Sequence, residues 1–245
     1  MIAQELALLI PTYISSLSLC CTASRIENTT TFTQNLMHRA SMLIPKSLDQ
    51  SVTDAGMNLL AKSYLSAKDD AHLPEVGKTR KCLPPITPSS PSTSTSTSTT
   101  SPSTTSSDRT SESPKERPRP TEKYLHFPTN AHRFVAQEMH KRLDKSRFPF
   151  SGFILQMIAA GWHYKSPAQL SEMADKVGRE RILVMHGTED NMISLPHGKK
   201  LIEFIKPGKG VIVEGMGHAP PGERWEWFNN TIEEQCALGE RLDGR

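Results

Sequence analysis

The stretch of residues 181–220, RILVMHGTEDNMISLPHGKKLIEFIKPGKGVIVEGMGHAP, decides the fold class. Its apolar runs and turn residues predict a strand at 181–185, a helix at 196–205 and a second strand at 211–214. A further helix is predicted at 224–236. Two parallel strands need a crossover connection, so strand, helix, strand and helix with short links indicate a parallel sheet. The sequence therefore predicts an α/β protein.

Each of these two strands is followed by a residue capable of acid–base chemistry. Asp190 comes after the first strand and His218 after the second, 218 − 190 = 28 residues further along. Ligands of parallel sheets bind beyond the carboxyl ends of the strands, so both side chains can reach the same rim. A simpler interpretation stays open for each: the aspartate as a helix cap or turn former, and the histidine as a surface loop residue.

Nearer the N-terminus, a helix and a strand are predicted. Ile2, Leu6, Leu9 and Ile10 recur at helical spacing, which predicts a helix at 2–10 that is buried on the side carrying them and that ends at Pro11. The following run, ISSLSLCCT at 14–22, has the length and composition of a strand. This order adds a third strand to the predicted sheet.

The motifs HGTED and GMGH, each after an apolar strand, resemble the end of an α/β-hydrolase domain, in which the chain order is nucleophile, acid, histidine. The resemblance implies that Asp190 holds the Nδ1 atom of an imidazole and that His218 is the general base toward a serine hydroxyl. It also implies that Gly187, Gly215 and Gly217 form the tight loops that orient the pair. The N-terminal helix is similar to the one that follows the nucleophile turn in this family.

The resemblance implies a partial α/β-hydrolase fold, the C-terminal strands of a parallel sheet with a large helical cap insertion. Residues 1–26 would be the helix and strand of the core, residues 27–178 the cap, and residues 179–245 the C-terminal βαβα unit with the acid and the histidine. Further helices are predicted to begin after Ser47 and to span 130–143, 152–160 and 167–177.

A Ser/Thr/Pro-rich, low-complexity tract at 83–122 interrupts the predicted cap. It is too poor in apolar side chains to offset its backbone entropy by burial, so we expect it to be disordered. A modified regulatory loop and a tolerated surface insertion are both compatible with this composition.

The nucleophile of the family pattern is missing from the sequence. Its turn, Gly-x-Ser-x-Gly or a cysteine version, needs two glycines four positions apart, and none of the 14 glycines meets this condition. We therefore expect a truncated hydrolase, with a catalytic triad remnant of Asp190 and His218, that is inactive alone. The intact parent would hydrolyse ester or other acyl bonds of a small-molecule substrate. The alternative is a non-catalytic interaction or regulatory protein derived from a hydrolase.

Three strands with an open edge also predict marginal stability, with a melting temperature below about 60 °C.

The remaining composition argues against other classes of function. A net charge of +3 without a basic stripe gives no reason to expect nucleic-acid binding, and no apolar run is long enough for a membrane span. The N-terminus lacks the basic flank of a signal peptide. The four cysteines show neither CxxC spacing nor disulfide density, which favours a reducing, cytoplasmic location.

No metal site and no cofactor are expected from the sequence. The histidines other than His218 show no ligand spacing: His186 is expected to pack at a strand end, and His132 and His140 to lie on a cap helix. The tryptophans are expected to be packing residues; they are Trp162, Trp225 and Trp227.

Overall fold

Three parallel strands form the centre of the protein. The structure, a computed structural model, describes residues 1–26, 46–69, 127–144, 146 and 149–245. The tract at 83–122, with its predicted disorder, lies outside these residues. Strands β1 (Leu17–Cys20), β2 (Ile182–Gly187) and β3 (Lys209–Val213) lie side by side in that order. Both pairings are parallel, which confirms the predicted α/β class.

Helices occupy most of the remaining described chain. They are α1 (Ile2–Leu9), α2 (Leu48–Leu59), α3 (Lys62–Ser66), α4 (Asn130–Leu143), α5 (Phe150–Trp162), α6 (Pro167–Val177), α7 (Leu195–Ile205), α8 (Pro220–Glu223) and α9 (Trp225–Leu242).

Local capping residues explain why several helices begin where the sequence predicts. The Ser166 hydroxyl accepts a hydrogen bond from the Gln169 N–H at 3.2 Å, and the Gln169 side chain accepts from the Ser166 N–H at 2.9 Å. This capping box and a proline at the first helical position start α6. At the start of α2 the Ser47 hydroxyl accepts a hydrogen bond from the Gln50 N–H at 3.2 Å. Such capping signals involve only three or four neighbouring residues, so they can be recognised in the sequence without knowledge of the tertiary structure.

The central strand is buried along its whole length. All six residues of β2 are buried, which explains the nearly continuous apolar run that marked it in the sequence. On one face, Leu17, Leu19, Ile182 and Val184 pack with buried side chains of α1, α6 and α7. This core fixes β2 and therefore the loop that leaves its carboxyl end.

The first predicted strand is shorter than expected. A 3₁₀ helix at Pro11–Tyr13 precedes it, and the strand itself spans only Leu17–Cys20. Cys21 ends it because its backbone has a positive φ of 45°, a left-handed conformation that an extended strand cannot continue. The predicted extension to residue 22 was therefore wrong.

The prediction for the buried face of α1 was also wrong. Gln4 and Ala7 are fully buried, whereas Ile2 and Leu9 are 85% and 77% exposed. Gln4 is buried because its amide is satisfied: it donates to the Ala23 carbonyl at 3.2 Å, and its oxygen lies 2.9 Å from His163 Nε2. The side of α1 that carries Ile2, Leu6 and Leu9 thus faces away from the core, whereas Ala7 lies in the core and Ala3 and Leu8 pack against it.

The last helix runs further than the predicted end at residue 236. Gly239 lies inside α9, where a Cβ atom would come within 2.4 Å of the Ser15 carbonyl oxygen. The glycine permits close contact between the helix and the segment before β1, and it does not end the helix. Arg181 donates hydrogen bonds to the carbonyls of Ser15 and Gly239 and so stabilises the same contact.

The helices of the middle segment belong with the sheet in one compact unit, residues 1–69 and 127–245. Helices α2 and α4 pack on each other, and Asp69 joins the two stretches by accepting hydrogen bonds from Arg133 and from the Phe127 N–H. The domain boundaries at 26/27 and 178/179 stay a prediction. Among the described helices, none combines the length and the apolar character needed to cross a bilayer.

Candidate functional site

Asp190 lies in the loop that follows β2, and the two oxygens of its carboxylate have different hydrogen-bond partners. Oδ1 accepts from the backbone N–H groups of Met192 at 3.0 Å and Ile193 at 2.8 Å. The residue therefore forms a local turn, as the simpler interpretation of the sequence allowed. This turn holds the buried carboxylate so that Oδ2 remains for a further partner.

That partner is His218, in the loop that follows β3. Its Nδ1 atom lies 2.9 Å from Asp190 Oδ2, and its side chain is 21% exposed. The two residues thus meet at the rim of the sheet where their positions after parallel strands predict. When Nδ1–H donates to the carboxylate, the ring lone pair is on Nε2. The pair can accept a proton there.

The His218 loop is held by a segment far away in sequence. The N–H groups of His218 and Ala219 donate to the Leu59 carbonyl, at 2.7 and 3.2 Å. No pattern in the sequence predicts this contact, since a backbone carbonyl at the end of α2 carries no side-chain signature. The end of α2 is therefore part of the site.

Two glycines permit the turn that presents His218. Gly215 has a positive φ of 63°, which costs little without a Cβ atom. A Cβ atom on Gly217 would lie 2.8 Å from both the Leu59 carbonyl oxygen and the Ala61 nitrogen. These contacts give a physical reason for the glycines of the GMGH motif.

Glu223, in α8, holds the same loop from the other side. Its two carboxylate oxygens lie 3.1 and 3.0 Å from the Gly217 nitrogen, which donates to them. Burial raises the pKa of this carboxyl above its usual range, although hydrogen bonds from the backbone of Gly217 and Ala61 oppose the shift. Sequence analysis did not single out Glu223.

The raised pKa predicts a pH effect on stability. The folded protein holds the Glu223 proton to higher pH than the unfolded chain does, so the stabilisation is complete below the unfolded value of 4.5 and is lost as the pH rises through the folded pKa. Glu223→Gln keeps an acceptor oxygen but cannot ionise. The melting temperature of Glu223→Gln relative to the native chain should therefore rise between about pH 4 and pH 7. Glu226→Gln, at an exposed position of α9, is the matched control, and equal pH profiles for all three proteins would contradict the assignment.

His186 supports the Asp190 loop from inside the protein. It is fully buried, as predicted, and its Nε2 atom lies 2.6 Å from the Ile193 carbonyl oxygen and 3.4 Å from Asp190 Oδ2. Burial lowers the pKa of this imidazole, which keeps the ring neutral at pH 7. Gly198 makes room for it, because a Cβ atom there would lie 2.4 Å from the ring.

Cys21 is a third reactive side chain at this rim, and the sequence analysis missed it. One ligand-type atom from each of Cys21, Asp190 and His218 lies within 4.8 Å of the others. The cysteine directly follows β1, so the rule that function collects beyond strand ends would have found it had the strand end been placed correctly. Burial raises the pKa of its thiol to about 12, with the Asp190 charge adding to the shift. The thiol is therefore protonated at pH 7 and is a weak nucleophile.

The arrangement supplies an acid and a base without an activated nucleophile. Across the described ranges, no serine or threonine hydroxyl forms a hydrogen bond to His218. His218 can thus accept a proton at Nε2 from a hydroxyl or thiol that approaches it. A nucleophilic reaction needs such a hydroxyl or thiol in addition to the base.

Two other residues considered from the sequence have their described contacts elsewhere. His132 contacts the Thr129 hydroxyl at the start of α4. Trp162 is 82% exposed, so its prediction as a packing residue was wrong: it lies in the last turn of α5, beside an open cavity of about 660 Å³. Neither Asp190 nor His218 lines that cavity.

No family model, no curated protein and no solved structure matches the chain.

Proposed function

We propose that Asp190 and His218 are the acid and base of a serine-type hydrolase that cleaves ester or other acyl bonds in small molecules. One observation carries this proposal: a buried carboxylate after β2 lies 2.9 Å from Nδ1 of an imidazole after β3. The α/β-hydrolase pattern that the two motifs resemble has its acid and its histidine in this order.

The geometry supports the role expected of each residue. Asp190 fixes the ring orientation and tautomer of His218, and its carboxylate stabilises the imidazolium that forms when Nε2 takes a proton. The ring is partly exposed while the carboxylate is buried, so an incoming hydroxyl reaches the base but water does not surround the acid. General-base catalysis by a histidine held in this way contributes about 10²- to 10⁴-fold.

The proposal assigns no nucleophile to the 245 residues. No glycine pair has the spacing of the nucleophile turn, and the buried Cys21 thiol remains protonated. We therefore expect the purified chain to show no His218-dependent turnover of an activated ester.

The decisive experiment first establishes whether the reading frame continues before Met1, and then expresses the chain together with any polypeptide encoded there. If that polypeptide carries Gly-x-Ser-x-Gly, short-chain nitrophenyl esters should be hydrolysed, and His218→Ala should abolish the reaction. His140→Ala, an exposed histidine on α4, is the matched control and should leave the rate unchanged.

Three outcomes would contradict the proposal. Turnover that survives His218→Ala would show that His218 is not the base. An upstream reading frame without Gly-x-Ser-x-Gly would rule out the serine mechanism. Ester hydrolysis by the 245-residue chain that depends on His218 would mean that a nucleophile was overlooked within it.

A second candidate function, a non-catalytic interaction protein, is favoured by the apolar side of α1. Ile2 and Leu9 are mostly exposed, Leu6 is 45% exposed on the same helix, and Ile10, directly after the helix, is 39% exposed. Exposed apolar side chains at helical spacing are typical of a surface that contacts another polypeptide.

Light scattering after size-exclusion chromatography tests the second candidate. Concentration-dependent association that Leu9→Glu removes would support it, with Lys199→Glu on the exposed side of α7 as the control. A monomer at all concentrations would contradict self-association through α1.

A further inference from the structure

Three side chains of different ligand chemistry converge at the carboxyl edge of the sheet. Cys21, Asp190 and His218 each place one donor atom within 4.8 Å of the other two, and the first two residues are buried. In a tetrahedral zinc site, bond lengths of about 2.0 to 2.3 Å separate the ligand atoms by about 3.3 to 3.8 Å. The observed donor set needs shifts of about 1.5 Å at most to reach this spacing.

Each donor is held by its own backbone contacts, so the set is largely arranged before any ion binds. Cys21 has a left-handed backbone conformation, and its N–H donates to the Met185 carbonyl at 2.9 Å. Two N–H groups hold Oδ1 of Asp190, so Oδ2 can exchange its hydrogen bond with His218 for an ion without loss of the local turn. The Leu59 carbonyl fixes the backbone of His218. A prearranged site loses little conformational entropy on binding an ion.

The chemistry of the donors selects among ions. A thiolate is a poor ligand for magnesium and calcium, which prefer oxygen, whereas zinc accepts sulfur, imidazole nitrogen and carboxylate oxygen together. Three protein ligands beside a partly exposed imidazole leave a fourth position that water can fill.

We propose that Cys21, Asp190 and His218 bind one zinc ion. Binding replaces the thiol proton of Cys21, which passes to solvent as the sulfur–zinc bond forms. The neutral His218 ring binds through one nitrogen and carries its proton on the other, the hydrogen bond between His218 and Asp190 gives way, and no oxidation state changes. The ion uses the same carboxylate and imidazole as the proposed hydrolytic role, so the two states exclude each other. The inference itself does not require the hydrolytic role.

Cobalt(II) serves as the probe because it occupies zinc sites and gives a sulfur-to-metal charge-transfer band when a thiolate binds. Titration of the metal-free, full-length chain should give this band with one equivalent of cobalt, and zinc should abolish it by displacement. The readout needs no substrate, so failure of zinc binding and failure of the hydrolytic proposal are distinguishable.

Adjacent cysteines provide the matched comparison. Cys20 ends β1 but does not belong to the donor set, so Cys20→Ser should retain the band, while Cys21→Ser should lose it. Asp190→Asn keeps an oxygen for the local turn but lacks a carboxylate, and it should weaken zinc binding by at least about tenfold. Circular dichroism shows whether each variant is folded. If Cys21→Ser does not fold, the zinc affinity of Asp190→Asn tests the proposal in its place.

Several results would overturn the proposal. They are the absence of the band in the native chain, its persistence in folded Cys21→Ser, its loss in folded Cys20→Ser, and native zinc affinity in Asp190→Asn. The first two would leave Cys21 as a buried packing residue whose thiol lies 3.8 Å from the Gly217 carbonyl oxygen, and the last two would mean that the ligands are not the three residues proposed.

Discussion

Asp190→Asn is expected to move the ring proton of His218 from Nδ1 to Nε2. In the native protein, Oδ1 accepts from the N–H groups of Met192 and Ile193 while Oδ2 faces His218. The two N–H donors require an oxygen, so the asparagine oxygen takes the Oδ1 position and its amide nitrogen takes the other. That nitrogen donates to Nδ1, which must then lose its proton.

The new tautomer leaves no lone pair on Nε2, so His218 can no longer act as a base there. In a hydrolase that contains the nucleophile, kcat should fall by about four orders of magnitude, the size of effect known for a triad aspartate changed to asparagine. Nitrogen-15 NMR of the imidazole reports the tautomer on the 245-residue chain itself, independently of activity.

Asp175→Asn is the control for this prediction. Asp175 lies on the exposed side of α6, where it accepts a hydrogen bond from Arg179 at 2.8 Å, and its replacement should leave the His218 ring unchanged. Retention of the Nδ1–H tautomer in Asp190→Asn would mean that the carboxylate does not set the state of the ring.

Gly187→Ala is expected to have the largest effect on stability. An added Cβ atom would lie 2.0 Å from the Met216 carbonyl oxygen and 2.8 Å from that of Gly217, well inside van der Waals contact. Both neighbours are backbone atoms, so no side-chain rotation relieves the clash. The end of β2 and the His218 loop must move apart.

The expected loss in the free energy of unfolding is about 3 kcal/mol or more, the upper part of the range for overpacked sites. Urea denaturation measures it, and NMR of any folded fraction should show the Asp190–His218 hydrogen bond weakened. Gly222→Ala is the matched control, because no atom lies within 4 Å of its Cβ position. A native-like midpoint for Gly187→Ala would show that the two loops are not in the close contact described.

These predictions concern a site built from four separate segments. The end of β1 supplies Cys21, the loop after β2 supplies Asp190, the loop after β3 supplies His218, and the end of α2 supplies the Leu59 carbonyl. Changes in any segment are therefore expected to reach the Asp190–His218 hydrogen bond.

The sequence by itself determined the class of the fold and the proximity of Asp190 and His218. The buried strand β2 appears as an apolar run, and the start of α6 appears as a capping box, because both depend on neighbouring residues only. Once two strands are parallel, the loops after them share one rim, so Asp190 and His218 follow from their positions in the chain.

The tertiary structure alone decided which apolar face is buried and what else reaches the site. Periodicity marked Ile2 and Leu9 as a face of α1, but burial depends on which elements pack nearby, and the core received Ala7 and Gln4 instead. Cys21 and the Leu59 carbonyl reach the site through contacts between residues far apart in the chain. Local sequence patterns carry no information on such distances, because only the packing of the elements determines them.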